Sequence, residues 1–321
     1  MKVSVIIPNW NGEKLLPVCL GALRKQTLRP NEVVLVDNNS GDRSIELAQR
    51  CYPGIFILRL TRNFGFGYAI NRGIEVSDSD LVLLLNNDTE VMNNWIETLH
   101  DFFSKNPQAL FCACKMLNYY DRTLLDGAGD CLTRGGIPYK IGSAQKDGAP
   151  YSISRKVLGA SGGACAFRRV FFEQVGMFDE RFFMYLEDVD LSLRAQLQGV
   201  ECYYVPSAVV YHMEAQSDPG RAGRASNPQT PARTYWITRN RVLLLAKNYP
   251  TTLLFRYCVP ILWGFLKSLA FHLFKTGYAG SYVRGLCRGL WDISLIRADR
   301  RAIQSSIKIP LQNLQRLLEQ C

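Results

Sequence analysis

Asp88 closes a short polar turn, residues 86–88, that directly follows the aliphatic run 81–85. A run of this length predicts a strand buried on both faces of a sheet, and open α/β sheets bind ligands at the carboxyl ends of such strands. A carboxylate at that position suits a hard cation such as Mg²⁺ or Mn²⁺, which in turn holds a diphosphate. The alternative is that Asp88 or Thr89 only caps the helix expected to begin near Met92.

A carboxylate pair and a histidine are the next candidates for chemistry. Glu187 and Asp188 begin a predicted helix, where acidic side chains stabilise the helix dipole by about 0.3–1 kcal/mol. The functional alternative is a general base that accepts a proton from a hydroxyl nucleophile. His212 follows the last predicted strand, and a lone histidine is usually structural. If it lies beside Asp88, it completes a mixed nitrogen and oxygen metal site.

The elements that would position these residues follow from the hydrophobic pattern. Strands alternate with helices over the first 90 residues, which predicts a wound, mostly parallel α/β sheet. The predicted strands are 3–7, 32–36, 55–60 and 81–85, and the predicted helices are 13–26, 43–51 and a segment that ends near residue 76.

The middle of the chain has a weaker pattern. Segment 105–160 predicts one short strand, 110–114, followed by long loops. Order returns in a strand of small residues at 160–167, where Gly162 and Gly163 would let a ligand approach the backbone closely.

Asp37 ends the second predicted strand, as the ribose-binding acid of a dinucleotide fold would. The turn after the first strand contains a single glycine, Gly12, so the GxGxxG fingerprint is missing there, and the sequence has no P-loop. A nicotinamide or ATP enzyme is therefore disfavoured. Asp37 is either a turn-forming residue or, with Asp42 and the loop 8–12, part of a nucleoside pocket.

Composition predicts one large α/β domain, residues 1–232, and an appendage, residues 233–321. The net charge of +10 is concentrated near the end of the chain: residues 221–321 contain 16 Lys and Arg but only 3 Asp and Glu. Such a basic region seeks an anionic surface. The ten cysteines lack a CxxC pair, and no cleavable leader is recognised, so we expect reduced thiols in the cytoplasm.

The last hundred residues also contain apolar and aromatic residues that favour a membrane surface. The longest uncharged run, 257–266, is ten residues long, and a spanning helix needs about 20 apolar residues. We therefore expect an interfacial or packed helix. Segment 217–232 is rich in Ser, Pro, Gly and Arg and is a candidate lid. The aromatic residues that suit an anionic membrane are Trp236, Tyr249, Trp263 and Trp291.

Five motifs together resemble a known family. In chain order they are Val5-Ile6-Ile7-Pro8-Asn9-Trp10-Asn11-Gly12, Val36-Asp37-Asn38-Asn39-Ser40, Asn63-Phe64-Gly65-Phe66-Gly67, Leu85-Asn86-Asn87-Asp88-Thr89 and Glu187-Asp188-Val189-Asp190-Leu191. This set is similar to the family 2 glycosyltransferases with the GT-A fold, in particular the rhamnosyltransferase-like branch, over about residues 3–215. The resemblance implies inverting transfer of a sugar from a nucleotide-diphosphate donor to a hydroxyl acceptor.

The resemblance also implies roles for single residues. Asp188 would be the catalytic base beside Glu187, and Asp88 with His212 would hold Mg²⁺ or Mn²⁺. The turn that ends in Asp88 stands in place of the family's DxD motif but begins with asparagine, which leaves one carboxylate for the metal. The residues implied in nucleotide-sugar binding are Pro8, Asn9, Trp10, Asn11, Asp37, Asn63, Gly65, Gly67, Asn86 and Asn87.

The hypothesis is thus a metal-dependent glycosyltransferase on the cytoplasmic face of a membrane, acting on a lipid-linked or cell-surface glycan. dTDP-rhamnose is the first candidate donor and a UDP-hexose the second. A sugar nucleotidyltransferase is one alternative, but it needs a Lys- and Arg-rich triphosphate loop where residues 8–12 stand. A nucleic-acid-binding protein is another, but the basic region has no recognisable nucleic-acid-binding signature, so no nucleic acid partner is expected.

Overall fold

The computed structural model of the protein describes residues 1–213 and 229–319. Most of the candidate lid, 217–232, lies outside these residues. The strands are β1 (Val3–Asn9), β2 (Glu32–Asp37), β3 (Phe56–Arg59), β4 (Leu81–Leu85), β5 (Thr89–Val91), β6 (Phe111–Asn118), β7 (Leu125–Gly127), β8 (Asp130–Leu132), β9 (Pro138–Lys140), β10 (Arg155–Val157), β11 (Ala164–Arg168) and β12 (Cys202–His212).

The helices divide into a first group between the strands and a second group after them. The helices are α1 (Leu16–Arg24), α2 (Ser44–Cys51), α3 (Phe66–Val76), α4 (Trp95–Lys105), α5 (Arg169–Val175), α6 (Glu187–Leu197), α7 (Pro231–Asn248), α8 (Thr251–Arg256), α9 (Cys258–Phe271), α10 (Ala279–Asp292), α11 (Arg297–Ser305) and α12 (Leu311–Glu319). A π-helical turn, His272–Thr276, extends α9.

The main sheet runs in the order β3–β2–β1–β4–β11–β6–β12–β10. β1 lies parallel to β2 and β4, and β2 lies parallel to β3. β11 is antiparallel to both of its neighbours, β4 and β6, whereas β12 is parallel to β6. The predicted α/β class with a largely parallel sheet is therefore confirmed. The strand that runs against its neighbours near the centre of this sheet is β11.

Helices cover both faces of the sheet, which explains the continuous aliphatic runs in its strands. Val5 and Ile7 of β1 belong to a buried cluster with Leu20 of α1. Ile6, between them, belongs to a second cluster with Ile70 of α3. Successive residues of one strand thus fill two cores, as the two-residue repeat of a strand requires.

The expectation of long loops up to residue 160 is wrong. β6 continues to Asn118, and four short strands follow it: β7 pairs with β6, β8 with β9, and β10 with β12. β7, β8, β9 and β10 each contain 3 residues. A strand this short shows too little alternation of apolar and polar residues to be recognised from sequence.

The helices after the sheet form a third core with α6. Leu193 of α6, Leu244 of α7 and Leu314 of α12 belong to one buried cluster. The predicted division between residues 232 and 233 falls inside α7. We retain that division only as a proposal about which residues form the catalytic part of the chain.

Two basic side chains of α7, Arg239 and Lys247, are buried in ion pairs. Arg239 Nη2 lies 2.6 Å from Asp292 Oδ2 of α10. Lys247 Nζ lies 2.6 Å from Asp179 Oδ2 and 2.9 Å from Asp190 Oδ2. Charges buried in this way are paired because an isolated buried charge is very unfavourable. Much of the positive charge of α7 therefore stabilises the fold and is not presented to an outside surface.

α9 and its extension present apolar residues to solvent. The segment Cys258–Thr276 has 19 residues and a mean hydropathy of 1.2, and by length and composition alone it could cross a membrane. Only 11% of it is buried, which argues against a packed core helix. Trp263 is 57% exposed and Trp291 of α10 is 79% exposed. Tyr249, in contrast, is fully buried, so its predicted place at a membrane surface is wrong.

Candidate active site

Hydrogen bonds between predicted site residues join three strand ends. Asn9 Nδ2, at the end of β1, donates to Asp37 Oδ1 of β2 at 3.0 Å. Asn87 Nδ2, in the turn after β4, donates to Asn9 Oδ1 at 2.7 Å. A Cβ atom at Gly12 would collide with both asparagine side chains, which explains the glycine. The polar residues after β1, β2 and β4 therefore meet at one edge of the sheet.

The carboxylate of Asp37 is engaged in hydrogen bonds within this edge of the sheet, whereas the side chain of Trp10 is exposed and can contact a ligand. Asp37 is 2% exposed and also accepts hydrogen bonds from Ser40 N at 3.0 Å and Ser40 Oγ at 2.5 Å. Trp10 is 57% exposed. Asn11 is exposed in a left-handed conformation with φ 52°, and Pro8 pairs with Val36 within the sheet. The exposed indole is a surface on which a planar base can stack.

The turn before α3 is fixed by backbone contacts. Asn63 Oδ1 accepts a hydrogen bond from Gly65 N at 2.9 Å, and Asn38 Nδ2 donates to Gly65 O at 3.0 Å. Gly65 has a φ of 92°, and a Cβ atom there would overlap the carbonyl group of Phe183. Gly67 lies against the Cβ atom of Phe178. The lack of a side chain at both glycines thus makes room for the chain segment that precedes α6. This packing role is separate from their predicted contact with a nucleotide.

Asp88 and His212 lie together, as the sequence predicted. His212, the last residue of β12, pairs with Thr89 in the sheet, and its Nε2 lies 3.3 Å from Asp88 Oδ1. Its Nδ1 lies 3.0 Å from Asp126 Oδ2, and Lys140 Nζ donates to the same carboxylate at 2.7 Å. An imidazole held at its second nitrogen by a carboxylate has a fixed orientation, which is the usual arrangement of a metal-binding histidine.

The opposite charges of His212 and its two carboxylate neighbours stabilise one another. Burial alone would lower the pKa of His212, but the carboxylates of Asp88 and Asp126 raise it to about 10. Burial opposes ionisation of Asp88, yet the neighbouring imidazolium holds the pKa of Asp88 below its usual value. Without a cation His212 is therefore protonated at neutral pH, and a metal ion bound at Nε2 must displace that proton.

The turn after β4 offers oxygen atoms that a cation would satisfy. Asn86 Oδ1 and Asp88 Oδ1 are buried and lack a hydrogen-bond partner, because the 3.3 Å contact with His212 does not have hydrogen-bond geometry. Within residues 1–213 and 229–319, three or more His, Cys, Asp or Glu side chains are nowhere arranged around a common metal position. One or two protein ligands completed by substrate phosphates suit Mg²⁺, so the residues present fit a divalent cation held jointly with a diphosphate.

Asp188 lies against the strand that neighbours β4. Gly162 N donates to Asp188 Oδ2 at 2.9 Å, and Val189 N donates to Asp188 Oδ1 at 2.8 Å. Asn86 N donates to Gly163 O at 2.9 Å. The predicted glycines therefore connect the polar turn after β4 to the carboxylate at the start of α6.

Burial shifts both of the adjacent carboxyl groups toward their protonated forms by raising their pKa values. Burial, followed by the charge of Asp188, raises the pKa of Glu187 to about 8. Burial also raises the pKa of Asp188, although the backbone N–H groups of Gly162 and Val189 stabilise its ionised form. Because Asp188 accepts two backbone hydrogen bonds, it is the better candidate of the two for the carboxylate that accepts a proton. Burial and the charge of Asp188 likewise raise the pKa of Asp130 to about 8.

The loop before Glu187 is held in a strained conformation by α7. Phe183, Tyr185 and Leu186 have φ values of 60°, 68° and 70°, which residues with a Cβ atom rarely adopt. Asn240 Nδ2 lies 2.8 Å from the carbonyl oxygens of both Phe182 and Tyr185 and 2.9 Å from that of Met184. Asn240 is fully buried. A residue from the second half of the chain thus holds the loop that precedes Glu187 and Asp188.

Sequence reasoning missed Asp126, Asp130, Lys140 and Asn240. Asp126 and Asp130 enclose a glycine-rich stretch of three residues, and that spacing was a usable signal. Asn240 gave no signal, because its role depends on how α7 packs against the loop.

Comparison with known proteins agrees with this geometry. The model of the glycosyl transferase family 2 matches residues 4–176. The N-acetylglucosaminyl-diphospho-decaprenol L-rhamnosyltransferase of Mycobacterium tuberculosis is 34% identical over 220 residues, which cover 62% of this chain and 71% of that protein. The family match and this relative favour the glycosyltransferase interpretation over the nucleotidyltransferase and the nucleic-acid-binding alternatives.

Two solved structures share the fold. Staphylococcus aureus TarS 1–349 in complex with UDP-GlcNAc has a TM-score of 0.58 and 19% identity, covering 95% of this chain and 87% of that one. The mannosyltransferase PcManGT from Pyrobaculum calidifontis, in complex with GDP-Man and Mn²⁺, has a TM-score of 0.54 and 15% identity, covering 99% and 84%. At these identities the likeness shows the fold alone. The family model and the rhamnosyltransferase relative show that the chain belongs to glycosyltransferase family 2.

Proposed function

We propose that this glycosyltransferase transfers a sugar, with inversion, from a nucleotide diphosphate to a hydroxyl group of a lipid-linked or cell-surface glycan. The observation that carries the proposal is the pair of hydrogen bonds at Gly162 and Gly163. They connect Asp188 to the turn that contains Asp88. A base for the acceptor and a site for the leaving diphosphate thus adjoin one short backbone segment.

The residues of this chain divide the reaction between them. The acceptor oxygen forms a bond to the anomeric carbon while the bond from that carbon to the diphosphate breaks, and the hydroxyl proton passes to Asp188. Attack opposite to the leaving group inverts the anomeric centre. The raised pKa of Glu187 favours its protonated form, which does not compete for that proton.

Asp88 and His212 would hold Mg²⁺ or Mn²⁺, and Asp126 would orient the imidazole of His212. When bound, the divalent cation supplies neutralisation of the charge that develops on the leaving diphosphate. Asn86, Asn87 and the edge formed by Asn9 and Asp37 line the place for the nucleotide. The exposed ring of Trp10 is placed to stack on its base.

dTDP-rhamnose is the first candidate donor, because the Mycobacterium tuberculosis relative is named as an L-rhamnosyltransferase. A UDP-hexose is the second, because the TarS structure contains UDP-GlcNAc. The same relative is named for a decaprenol-linked substrate, which favours a lipid-linked acceptor for this chain.

The exposed apolar residues of α9 and α10, together with the net charge of +10, favour attachment to an anionic membrane surface. We place the enzyme in the cytoplasm, peripherally on the inner face of the membrane, where nucleotide sugars are made.

The test is a panel of nucleotide sugars assayed for release of the nucleoside diphosphate in the presence of a lipid-linked glycan. We expect dTDP-rhamnose to be used. Asp188→Asn nearly preserves shape but removes the base, so transfer should fall at least about 100-fold while donor binding stays near that of the wild type.

Glu187→Gln is the matched control and should lose much less activity. If Asp188→Asn keeps most of its rate while Glu187→Gln is inactive, Glu187 is the base. If both variants stay active, the proposed mechanism is refuted.

A further inference from the structure

A second cavity lies between α7, α9 and α10. It has a volume of about 290 Å³. None of the described residues that line it belongs to the active site, and none of them is acidic. The lining side chains that matter here are Thr234, Thr238, Arg241, Lys267, His272 and Tyr282.

Arg241 is a buried cation whose charge is not balanced by a carboxylate. It is 4% exposed, and its Nη2 donates to Gly135 O at 2.7 Å, while its Nε has no hydrogen-bond partner. Its guanidinium carbon lies 4.0 Å from the centre of the Phe265 ring. Among residues 1–213 and 229–319, it forms no ion pair with Asp or Glu, unlike its neighbour Arg239. Burial lowers the pKa of Arg241 to about 10, so the side chain keeps its charge at neutral pH.

Thr234 adds a second buried polar group without a partner. It lies two turns before Arg241 on α7, is 2% exposed, and its Oγ1 has no hydrogen-bond partner. The nearby Thr238 hydroxyl is satisfied, because it donates to Thr234 O at 2.7 Å. Buried polar groups are nearly always hydrogen-bonded in folded proteins. Two exceptions in one cavity indicate that a ligand supplies the missing partner.

The chemistry of the lining selects an anion. Lys267 adds a positive charge, and Thr234 and His272 can donate hydrogen bonds, whereas the hydroxyl of Tyr282 already donates to Phe265 O at 2.7 Å. Guanidinium, ammonium and hydroxyl donors that converge without any carboxylate match the several oxygen atoms of a phosphate group.

We propose that this cavity binds the phosphate group of an anionic lipid. The lipid is favoured as the source because Lys267 and Phe271, which line the cavity, belong to α9, whose residues Val259, Leu262 and Trp263 are exposed apolar groups. A phosphate in the cavity would leave its acyl chains beside that apolar surface. This inference rests on the proposed attachment to a membrane.

The experiment measures binding by calorimetry of the full chain, without a sugar donor. The probes are dihexanoyl phosphatidic acid, inorganic phosphate and dihexanoyl phosphatidylcholine. We expect phosphatidic acid to bind at least tenfold more tightly than either of the others. Arg241→Gln should weaken that binding at least tenfold and Thr234→Val at least threefold.

The control is Arg284→Gln, which removes an exposed charge from α10 and should change the affinity by less than twofold. Thr234→Val tests the site without disturbing the fold, because valine is nearly isosteric with threonine and the hydroxyl makes no hydrogen bond that would be lost. The melting temperature of this variant should therefore not fall. Unchanged phosphatidic acid binding in both cavity variants would overturn the proposal. Equal affinity for inorganic phosphate would overturn the lipid assignment and leave a site for a free anion.

This outcome is separable from that of the sugar-transfer proposal. Asp188→Asn should bind phosphatidic acid as the wild type does, whatever its transfer rate. Failure of lipid binding in the wild type would refute the cavity site and leave the transfer assay unaffected.

Discussion

Replacing Asn240 by alanine removes the side chain that holds the loop in front of Asp188. Phe183, Tyr185 and Leu186 in that loop have positive φ values, each of which costs about 1–3 kcal/mol. The amide of Asn240 has two hydrogen atoms to share among three carbonyl oxygens, and each net hydrogen bond contributes about 0.5–1.5 kcal/mol. The variant therefore loses about 1–3 kcal/mol of hydrogen-bond stabilisation, which in the wild type offsets the backbone strain. Without it the loop should relax.

Relaxation of this loop should affect the rate more than donor binding. A displacement of about 1 Å at a reacting group can cost about 100-fold in rate. We expect Asn240→Ala to transfer sugar about 100-fold more slowly while its Kd for the donor changes by less than threefold. The assay compares the single-turnover transfer rate with donor affinity measured by calorimetry on the same preparation.

Asn248→Ala is the matched control. Asn248 is also a fully buried asparagine of α7, but its Nδ2 donates to the side chain of Asp190 in α6, at 2.8 Å from Oδ1, and not to a carbonyl oxygen of the loop. It should lower the melting temperature by a similar amount and keep most of the transfer rate. If Asn240→Ala is destabilised yet transfers at the wild-type rate, the loop does not depend on α7 and the reasoning is refuted.

Three further predictions concern the metal, pH and the membrane. Asp88→Ala should weaken donor binding at least tenfold in Mn²⁺ or Mg²⁺ but not in EDTA; equal affinities of the two proteins in both conditions would exclude the metal assignment. Because the pKa of Glu187 is raised from 4.5 to about 8, the folded state binds a proton that the unfolded state has lost, so wild-type stability should fall relative to Glu187→Gln as pH rises through that range. Melting temperatures whose difference stays constant from about pH 5 to pH 8 would contradict this. Replacing both Trp263 and Trp291 by serine should weaken binding to anionic vesicles at least tenfold, and high salt should weaken vesicle binding by the wild type. If wild-type protein does not sediment with the vesicles at low salt, attachment to the membrane is contradicted.

The sequence was sufficient to predict the first half of the sheet and the edge where its polar residues meet. β4 was recognisable because a strand buried on both faces has no polar position. The family resemblance implied that Asp88 and His212 lie together, and the structure brings their side chains within 3.3 Å.

The remaining features depend on contacts between distant segments. The ion pairs of Arg239 and Lys247 could not be predicted, because composition does not reveal the partners Asp292 and Asp190. The spacing of Asp126 and Asp130 could have been noticed, but the contact with His212 could not, because only the pairing of β7 with β6, and of β6 with β12, brings Asp126 beside His212.

α7 contacts two functionally different parts of the molecule. Asn240 contacts the loop before Glu187, while Arg241, the next residue, lines the cavity beside α9. Because these two residues are adjacent, the loop and the cavity are separated by the thickness of this one helix, about 10–12 Å with its side chains, and the helix acts as a short rigid spacer. For an enzyme resting on a bilayer through α9, such a spacer would set the height of Asp188 above the lipid surface. The enzyme would then select acceptors by the distance of their reactive hydroxyl group from the membrane. The helix would in this way determine the length of glycan that the enzyme accepts.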